Sequence, residues 1–569
     1  GNSWKPASPD LSRVIDRNRI KLMDRVWSVD AIAKNSSSSF FGAIVAIAES
    51  PLKENQLWIG TDDGTIQVSE NGGGSWRKIE TFPGVPDTTQ VARVVPSSHD
   101  ANTVYAVFDG HMMGDYKPYV LKSTDLGRTW RSIAGNLPTR GTVYSMVDDP
   151  KDPNMLYVGT EFGLFFTRNG GQQWTRLRTG LPTIQVRDLV IQKRDDDLVL
   201  ATFGRGFYIL DDLSALRAAT PAALAAEGAL FPVRRTPLYV PSTVFAGGVA
   251  GWLGSGSFQA SNPPFGATLT YSLRTDLRSR RAVRQAAERA TARRGADVFY
   301  PSWDSLRAED REEAPAIILS VTDAEGNVIR RLTGPTSAGI QRVTWDLRHA
   351  APTGPRPAAP ADDDEGGPRP AGGALVGPGT YIVSLAKRVD GVTTPLGEPQ
   401  KFEVYMLDGG APGRTPAIVA FQGQAAKLQR AMSGASSLVD ELTARTQALM
   451  RAIEDSPGAG PKLGTDVRTI DRALRDIRET LSGDPTMSRR QEPTAPSLMG
   501  RLNVLTQASR SFDAPTATQQ RQYEIVAGEY TKVQTRLRTI LDSDLKRVEA
   551  AAEAAGVPWT SGRIPEWRP

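Results

Sequence analysis

What most limits the fold of this chain is a repeat. Leu57–Gly64 (LWIGTDDG) and Leu156–Gly163 (LYVGTEFG) are near copies, with a looser copy at Val104–Gly110 (VYAVFDG) between them and Leu198–Gly206 (LVLATFGRG) after them. A short unit repeated in this way buries its apolar face only against its neighbours, so the period dictates a stacked array. Each unit reads as four short antiparallel strands. In the first, strand A is Ala43–Ala48, B is Leu57–Gly60, C is Thr65–Ser69 and D begins at Trp76, separated by Gly, Asp, Asn and Pro breaks. Four such strands per repeat describe one blade of a β-propeller.

The turns from C to D carry a second pattern, in Ser69–Trp76 (SENGGGSW), Ser123–Trp130 (STDLGRTW) and Thr167–Trp174 (TRNGGQQW). In S/T-x-D/N-x-G-x-x-W, the side chain of Asn71, Asp125 or Asn169 is expected to accept backbone N–H groups inside the turn. Glycine supplies positive φ, and Trp76, Trp130 or Trp174 wedges between neighbouring sheets. The pattern resembles the Asp-box of bacterial neuraminidase-type repeats, a structural device, so these residues are assigned structural roles. Gly1–Trp4 (GNSW) reads as the second half of another such box, and the fourth unit ends at strand C with Arg205–Asp212 (RGFYILDD). Four blades and a stray strand do not close a ring, so further N-terminal blades, on the same precursor or a separate chain, are the first expected partner.

Beyond residue 214 the pattern changes. Residues 215–410 carry longer alternating strands with β-sandwich spacing: Asn262–Leu273, Ala316–Asp323, Gly339–Leu347, Pro378–Leu385 and Phe402–Tyr405. Ser279–Glu313 reads as a helical insertion and Pro352–Gly373 as a loop without contacts of its own. Residues 411–569 are helical by period. Phe421, Leu428, Met432, Ala435, Val439, Leu442 and Leu449 form one stripe, and Val467, Ile470, Leu474, Ile477 and Leu481 a second. Tyr523, Val526, Tyr530, Val533, Leu537, Ile540, Leu545 and Val548 form a third, and mutual packing in an antiparallel bundle is expected. The fold class is thus mainly β with an α C-terminus: a partial propeller over 1–214, an Ig-like sandwich over 215–410 and a helical domain over 411–569.

Composition removes several function classes. The chain has no cysteine, so thiol catalysis, disulfides and thiolate metal sites are out of reach. A net charge of +5 over 569 residues, without a basic stripe, gives no nucleic-acid footprint. The longest apolar run, Phe40–Ala48, is far too short to span a membrane. Three scattered histidines form no metal cluster, and neither a metal nor another cofactor is expected.

The order of propeller, sandwich and helices resembles the large bacterial proteins of the sortilin-like, BNR-repeat "glycosyl hydrolase" family. WIGTDDG, STDLGRTW, YVGTEFGL, GLPTIQVRDL and FGRGFYILDD carry the resemblance over essentially the whole chain, with the family's first blades absent. It implies either peptide binding in a wide central tunnel, as in sortilin-type propellers, or glucan hydrolysis between paired aspartates, as in xyloglucanase-type propellers. It also implies a bacterial exterior, periplasm or envelope.

Strand order puts the A–B and C–D connections on one side, and the B–C turns and D–A loops on the other, near the axis, where propellers bind ligands. That rim collects Asp62, Asp63, His111, Asp115, Arg140, Glu161, Arg187 and Arg205. By resemblance to a xyloglucanase-type TDxGG turn, Asp62 is the catalytic candidate. Glu161 or Asp115 would supply the second carboxylate, which an inverting glycosidase needs roughly 6.5–9.5 Å away. Here the turn reads TDDGT, and the plainer role of Asp62 and Asp63 is to hold an Asx turn. Asp63, His111, Arg140, Arg187 and Arg205 are binding candidates. The leading reading is a non-enzymatic secreted or envelope binding or scaffold protein that recognises a protein or peptide, with a glycan as the other ligand class. The rivals are a glycoside hydrolase using Asp62 and a structural subunit of a larger extracellular assembly.

Overall fold

The computed structural model describes residues 3, 6–34, 36, 41–178, 180–239, 263–352, 373–407, 416–507 and 514–563. Gly1, Asn2 and Trp4 of the expected half-box, and most of the expected 352–373 loop, lie outside them. The chain divides into two compact units, Gly1–Ala219 and Thr220–Pro569.

The first unit holds the repeats. Blade 1 is β1 (Ile44–Glu49), β2 (Leu57–Thr61), β3 (Ile66–Ser69) and β4 (Arg77–Ile79). Blade 2 is β5 (Gln90–Pro96), β6 (Val104–Asp109), β7 (Tyr119–Ser123) and β8 (Arg131–Ser132). Blade 3 is β9 (Val143–Asp148), β10 (Leu156–Thr160), β11 (Gly163–Thr167) and β12 (Trp174–Leu177). Blade 4 is β13 (Val186–Gln192), β14 (Asp197–Thr202) and β15 (Phe207–Leu210). Each is an antiparallel meander in chain order, four-stranded in blades 1 to 3 and three-stranded in blade 4.

Apolar layers between consecutive blades hold the stack together. Trp58, Ile66 and Val68 of blade 1 cluster with Val91, Val94 and Phe108 of blade 2. Tyr105, Val107 and Val120 of blade 2 meet Val143, Met146 and Val158 of blade 3, and Tyr157, Leu164 and Phe166 meet Val186, Leu189 and Leu200 of blade 4. This explains the glycine in the repeated IGT and VGT motifs. A Cβ on Gly159 would stand 2.6 Å from the Val186 carbonyl oxygen, and one on Gly60 would stand 2.5 Å from Val91 Cγ1. The glycine lets strand A of the next blade approach.

The three S/T-x-D/N-x-G-x-x-W turns share one hydrogen-bond scheme. Ser69, Ser123 and Thr167 accept from the glycine N–H four residues on, at 2.8, 2.8 and 3.1 Å. Asn71, Asp125 and Asn169 accept from the N–H of Ser75, Thr129 and Gln173, each at 2.9 Å. Each turn is also pinned to its own A–B loop: the N–H groups of Gly72, Leu126 and Gly170 donate to the carbonyls of Asn55, Asn102 and Asn154, each at 2.9 Å. The A–B and C–D connections therefore share a side, as the strand order requires.

Blade 4 has no such turn. In its place the Leu213 N–H donates to Asp196 O at 2.9 Å, and the chain enters α1 (Ser214–Ala218). Arg217 on α1 binds both oxygens of the fully buried Asp149 at 2.9 and 2.8 Å and grips Asp196, which Lys151 also contacts at 2.9 Å. A buried ion network thus fastens α1 to the A–B connections of blades 3 and 4.

The second unit starts with α2 (Pro221–Ala225), β16 (Gly228–Leu230), β17 (Thr236–Leu238) and β18 (Ala267–Leu273). Helices α3 (Arg280–Arg293) and α4 (Trp303–Arg311) make the expected insertion, joined by a two-pronged Arg284–Glu309 pair at 2.6 and 2.8 Å. Strands β19 (Ala316–Asp323), β20 (Val328–Gly334), β21 (Gly339–Trp345), β22 (Gly379–Val389), β23 (Val392–Pro395) and β24 (Gln400–Met406) follow. They form two sheets, β16-β18-β21 and β17-β24-β22-β19-β20 with β23 on β22. Leu269, Tyr271 and Trp345 of the first share one core with Leu319, Val383, Phe402 and Val404 of the second.

The last part is helical: α5 (Pro416–Glu454), α6 (Pro461–Ser482), α7 (Pro485–Ser488), α8 (Leu498–Gln507), α9 (Ala517–Thr539) and α10 (Leu545–Ala554). The three expected stripes pack on one another in a single core, joined by Leu498, Leu502 and Leu505 of α8. The step of five from Ile540 to Leu545 breaks the helical period, and a π-turn at Ile540–Asp544 absorbs the extra residue so that both face the core.

Candidate functional site

The B–C turns and D–A loops of the first unit gather the residues singled out from sequence, but the structure uses them differently. Asp62 follows β2, and its Oδ1 accepts from the N–H groups of Gly42 and Ala43 at 2.8 and 2.7 Å. Asp63 is fully buried, bound by the Thr61 hydroxyl at 2.5 Å and the Arg13 N–H at 2.7 Å. Both carboxylates therefore hold the entry to blade 1 in place. Asp115 accepts from the Tyr119 hydroxyl at 2.5 Å and the Lys117 N–H at 3.2 Å; burial first, and then the bond to Asp115 and its charge, push the Tyr119 phenol well up. Among the described residues no hydrogen bond or ion pair joins Asp62, Asp115 and Glu161.

Two aromatic–arginine pairs stand out instead. Arg140, in the loop before β9, lies over the Tyr116 ring at 5.8 Å, and Tyr116 meets His111 edge-on at 5.1 Å. The Gly141 N–H donates to Tyr116 O at 2.9 Å, tying this D–A loop to the B–C loop of blade 2. Asp109 caps the same loop through the His111 N–H at 2.8 Å. Arg187, on β13, stacks on Tyr144 at 4.2 Å and reaches Phe203 at 5.8 Å. Tyr144 is buried, and its phenol is pushed up by burial and by the charges of Asp109 and Glu161, against the opposing pull of Arg187. These groups from blades 2, 3 and 4 therefore share one electrostatic neighbourhood. Arg205 is exposed in the last B–C turn, beside the exposed Phe203. Deeper along the inner strands, Arg93 of blade 2 pairs with Asp188 of blade 4, spanning blade 3. Only inner strands that curve toward a common axis permit that contact.

Sequence reasoning missed Tyr116, Tyr144, Phe203, Arg93 and Asp188. Tyr144, Arg93 and Asp188 sit within strands, where alternation says which face a residue takes but not which strand two blades away it meets. Asx-turn chemistry was the signal for Asp62 and Asp63, and it describes what their carboxylates do.

The six box residues hold the opposite side, with unequal burial. Trp174 is buried, and its Nε1 donates to Ile133 O of blade 2 at 2.9 Å. Trp130 meets Phe82 edge-on at 5.6 Å, while the buried Trp76 Nε1 has no hydrogen-bond partner among the described residues. The Asp125 carboxyl is held down to about 2 by hydrogen bonds from the Thr129 side chain and backbone.

Successive antiparallel sheets stacked about an axis, with a rim of aromatic-backed arginines, define a protein of β-propeller class. Its similarities to known proteins are partial. A xyloglucanase, Xgh74A of Acetivibrio thermocellus, is 33% identical over 91 residues, which is 14% of this chain and 11% of that relative's length. An ancestral GH74 enzyme aligns with 41% of the chain and 31% of its own at 16% identity and a TM-score of 0.26. The YCF48 protein from Cyanidioschyzon merolae aligns with 29% of the chain and 52% of its own at 18% identity and a TM-score of 0.23. The extracellular domain of a putative hybrid two-component system from B. thetaiotaomicron aligns with 65% and 39% at 10% identity and a TM-score of 0.25. No protein-family model matches the chain. Among the described residues no helix is long and apolar enough to cross a membrane, and no group of three or more His, Asp or Glu could hold a metal ion.

Proposed function

We propose that the rim of the first unit is a recognition surface for a protein segment that carries carboxylates and apolar side chains, and that the chain is a non-enzymatic binding protein of the cell exterior or envelope. One observation carries this reading: three of the four rim carboxylates, Asp62, Asp63 and Asp115, are turned to backbone amides and hydroxyls, while Arg140, Arg187 and Arg205 remain exposed. A guanidinium held over an aromatic face has lost part of its freedom before a ligand arrives, and its outer N–H groups suit a two-pronged bond to a carboxylate. Phe162 and Phe203, both exposed, supply apolar contact beside them.

The test is selection from a displayed peptide library on the intact chain, followed by affinity measurement at two salt concentrations. Enrichment of acidic, aromatic-containing sequences is expected, with a tenfold or greater loss for Arg187→Ala, about 1.4 kcal/mol. Selected peptides that bind Arg140→Ala, Arg187→Ala and the parent equally would overturn the reading.

A second reading has its own support in the 33% identity to a xyloglucanase over 91 residues. It assigns glycoside hydrolysis to Asp62 with Glu161 or Asp115. Release of oligosaccharides from xyloglucan by the parent chain and not by Asp62→Asn would establish it; no release by the parent removes it.

A further inference from the structure

The repeated blade interface gives an internal standard for the two ends of the stack. Strand A of each later blade turns two residues toward the blade before it: Val91 and Val94, Val143 and Met146, Val186 and Leu189. All six are at most 7% exposed. Strand pairing places Ile44 and Ile47 at the same positions of blade 1, since Ile44 faces Thr61 and Ile47 faces Ile59, as Val143 faces Thr160 and Met146 faces Val158. Yet Ile44 is 51% and Ile47 75% exposed.

The other end mirrors this. Trp58 and Gly60 of blade 1, and Tyr157 and Gly159 of blade 3, face the next blade from strand B. By register their counterparts in blade 4 are Val199 and Ala201, the latter a small residue where Gly60 and Gly159 admit a valine. Blade 2 carries the larger Val107 there, so the small residue is not obligatory. Val199 pairs across to Val190 on one side and Ile209 on the other, and Ala201 pairs to Phe207. Val190, Ile209 and Phe207 are 56%, 58% and 76% exposed. An in-register apolar sheet face of this kind, left open, is an association site.

We infer that these two faces are blade–blade interfaces, occupied in the working protein by further four-stranded blades of the same repeat on polypeptide outside this sequence. One added blade presents a strand-A valine or isoleucine to Ala201, and another presents a strand-B face to Ile44 and Ile47. Continuity with three interfaces already built from the same positions argues for this occupant. A second copy of this chain would instead place Ile44 and Ile47 against Val199 and Ala201 of its partner. The inference is independent of what the rim binds.

The experiment places a photo-crosslinking amino acid at position 47 or 207 in the protein as made by its own cell, and identifies the joined peptides by mass spectrometry. Crosslinked peptides that carry the S/T-x-D/N-x-G-x-x-W turn and match no stretch of residues 1–569 are expected at both positions. Adducts mapping to residues 1–569, whether from a second copy or the same chain, would overturn the proposal. So would adducts lacking the repeat, or no adduct at all. A probe at exposed Arg128, on the outer turn, is expected to give none of the repeat-bearing adducts and serves as control.

Discussion

Replacing Arg217 with alanine removes the centre of the ion network that fastens α1. Its side chain is 13% exposed, and its two partners, Asp149 and Asp196, are 0% and 8% exposed. Breaking a buried pair by deleting one member costs about 3–5 kcal/mol, because the other charge stays buried and uncompensated. Here the low end applies. Asp149 keeps the N–H groups of Lys151 and Asp152, at 2.8 and 3.2 Å, and Asp196 keeps the Lys151 ammonium. A loss of about 3 kcal/mol in a unit of this size lowers the melting temperature by roughly 6–12 °C. The assay is thermal unfolding followed by tryptophan fluorescence, with hydrogen exchange at α1 and β13–β15 to locate the loss in blade 4. Arg217→Met combined with Asp149→Asn and Asp196→Asn is expected to recover most of it, since no charge is then left buried. A loss below about 1 kcal/mol for Arg217→Ala, the size of an exposed surface pair, would refute the network's role.

The same network predicts an acid limit. Burial raises the Asp196 carboxyl, but hydrogen bonds from Arg217 and Lys151 outweigh it and hold the carboxyl below its ordinary value. Its contribution is therefore complete above the unfolded pKa of about 4 and lost as pH falls through the lower folded value. Arg217→Ala should move the acid-unfolding midpoint to higher pH, and an unchanged midpoint would contradict this. Trp174→Ala, which removes a buried indole and its bond to Ile133 O, should cost about 3–5 kcal/mol in urea unfolding and more than Trp76→Ala, whose Nε1 has no partner to lose. Gly159→Val forces a side chain against the Val186 carbonyl and should destabilise blades 3 and 4 together, seen as joint loss of exchange protection in β10 and β13; a neutral effect would mean that the two strands do not approach as closely.

Blade architecture was legible because its determinants are local. The alternation in LYVGT, the turn in TRNGGQQW and the breaks between them each fix a strand or turn within a few residues. The side assignment was legible too, and a further signal lay unused: Asn55, Asn102 and Asn154 each stand two residues before strand B, where their carbonyls hold the following turn. The helical stripes were visible for the same periodic reason, whereas α8 has too few turns to make its period plain. Val392–Pro395 was missed because all four of its residues are exposed, and Val328–Gly334 because its apolar residues Val328, Ile329 and Leu332 do not alternate. The rim was legible as a set of loops but not as partnerships. Asp62 looks catalytic in TDDG, yet which oxygen meets which amide depends on the loop arriving from Gly42, and Arg187 on Tyr144 depends on two blades meeting.

Curvature of the stack about an axis is the claim on which the rim assignment rests, and the pair Arg93–Asp188 reports it directly. The chain has no cysteine, so Arg93→Cys with Asp188→Cys introduces two unique thiols. The measurement is the yield of intramolecular crosslink with a short bismaleimide in native buffer and in urea. Curved blades predict efficient crosslinking in the native state that is lost on unfolding. A linear stack would separate the two positions by two sheet spacings, about 20 Å, and no native crosslink would contradict the account.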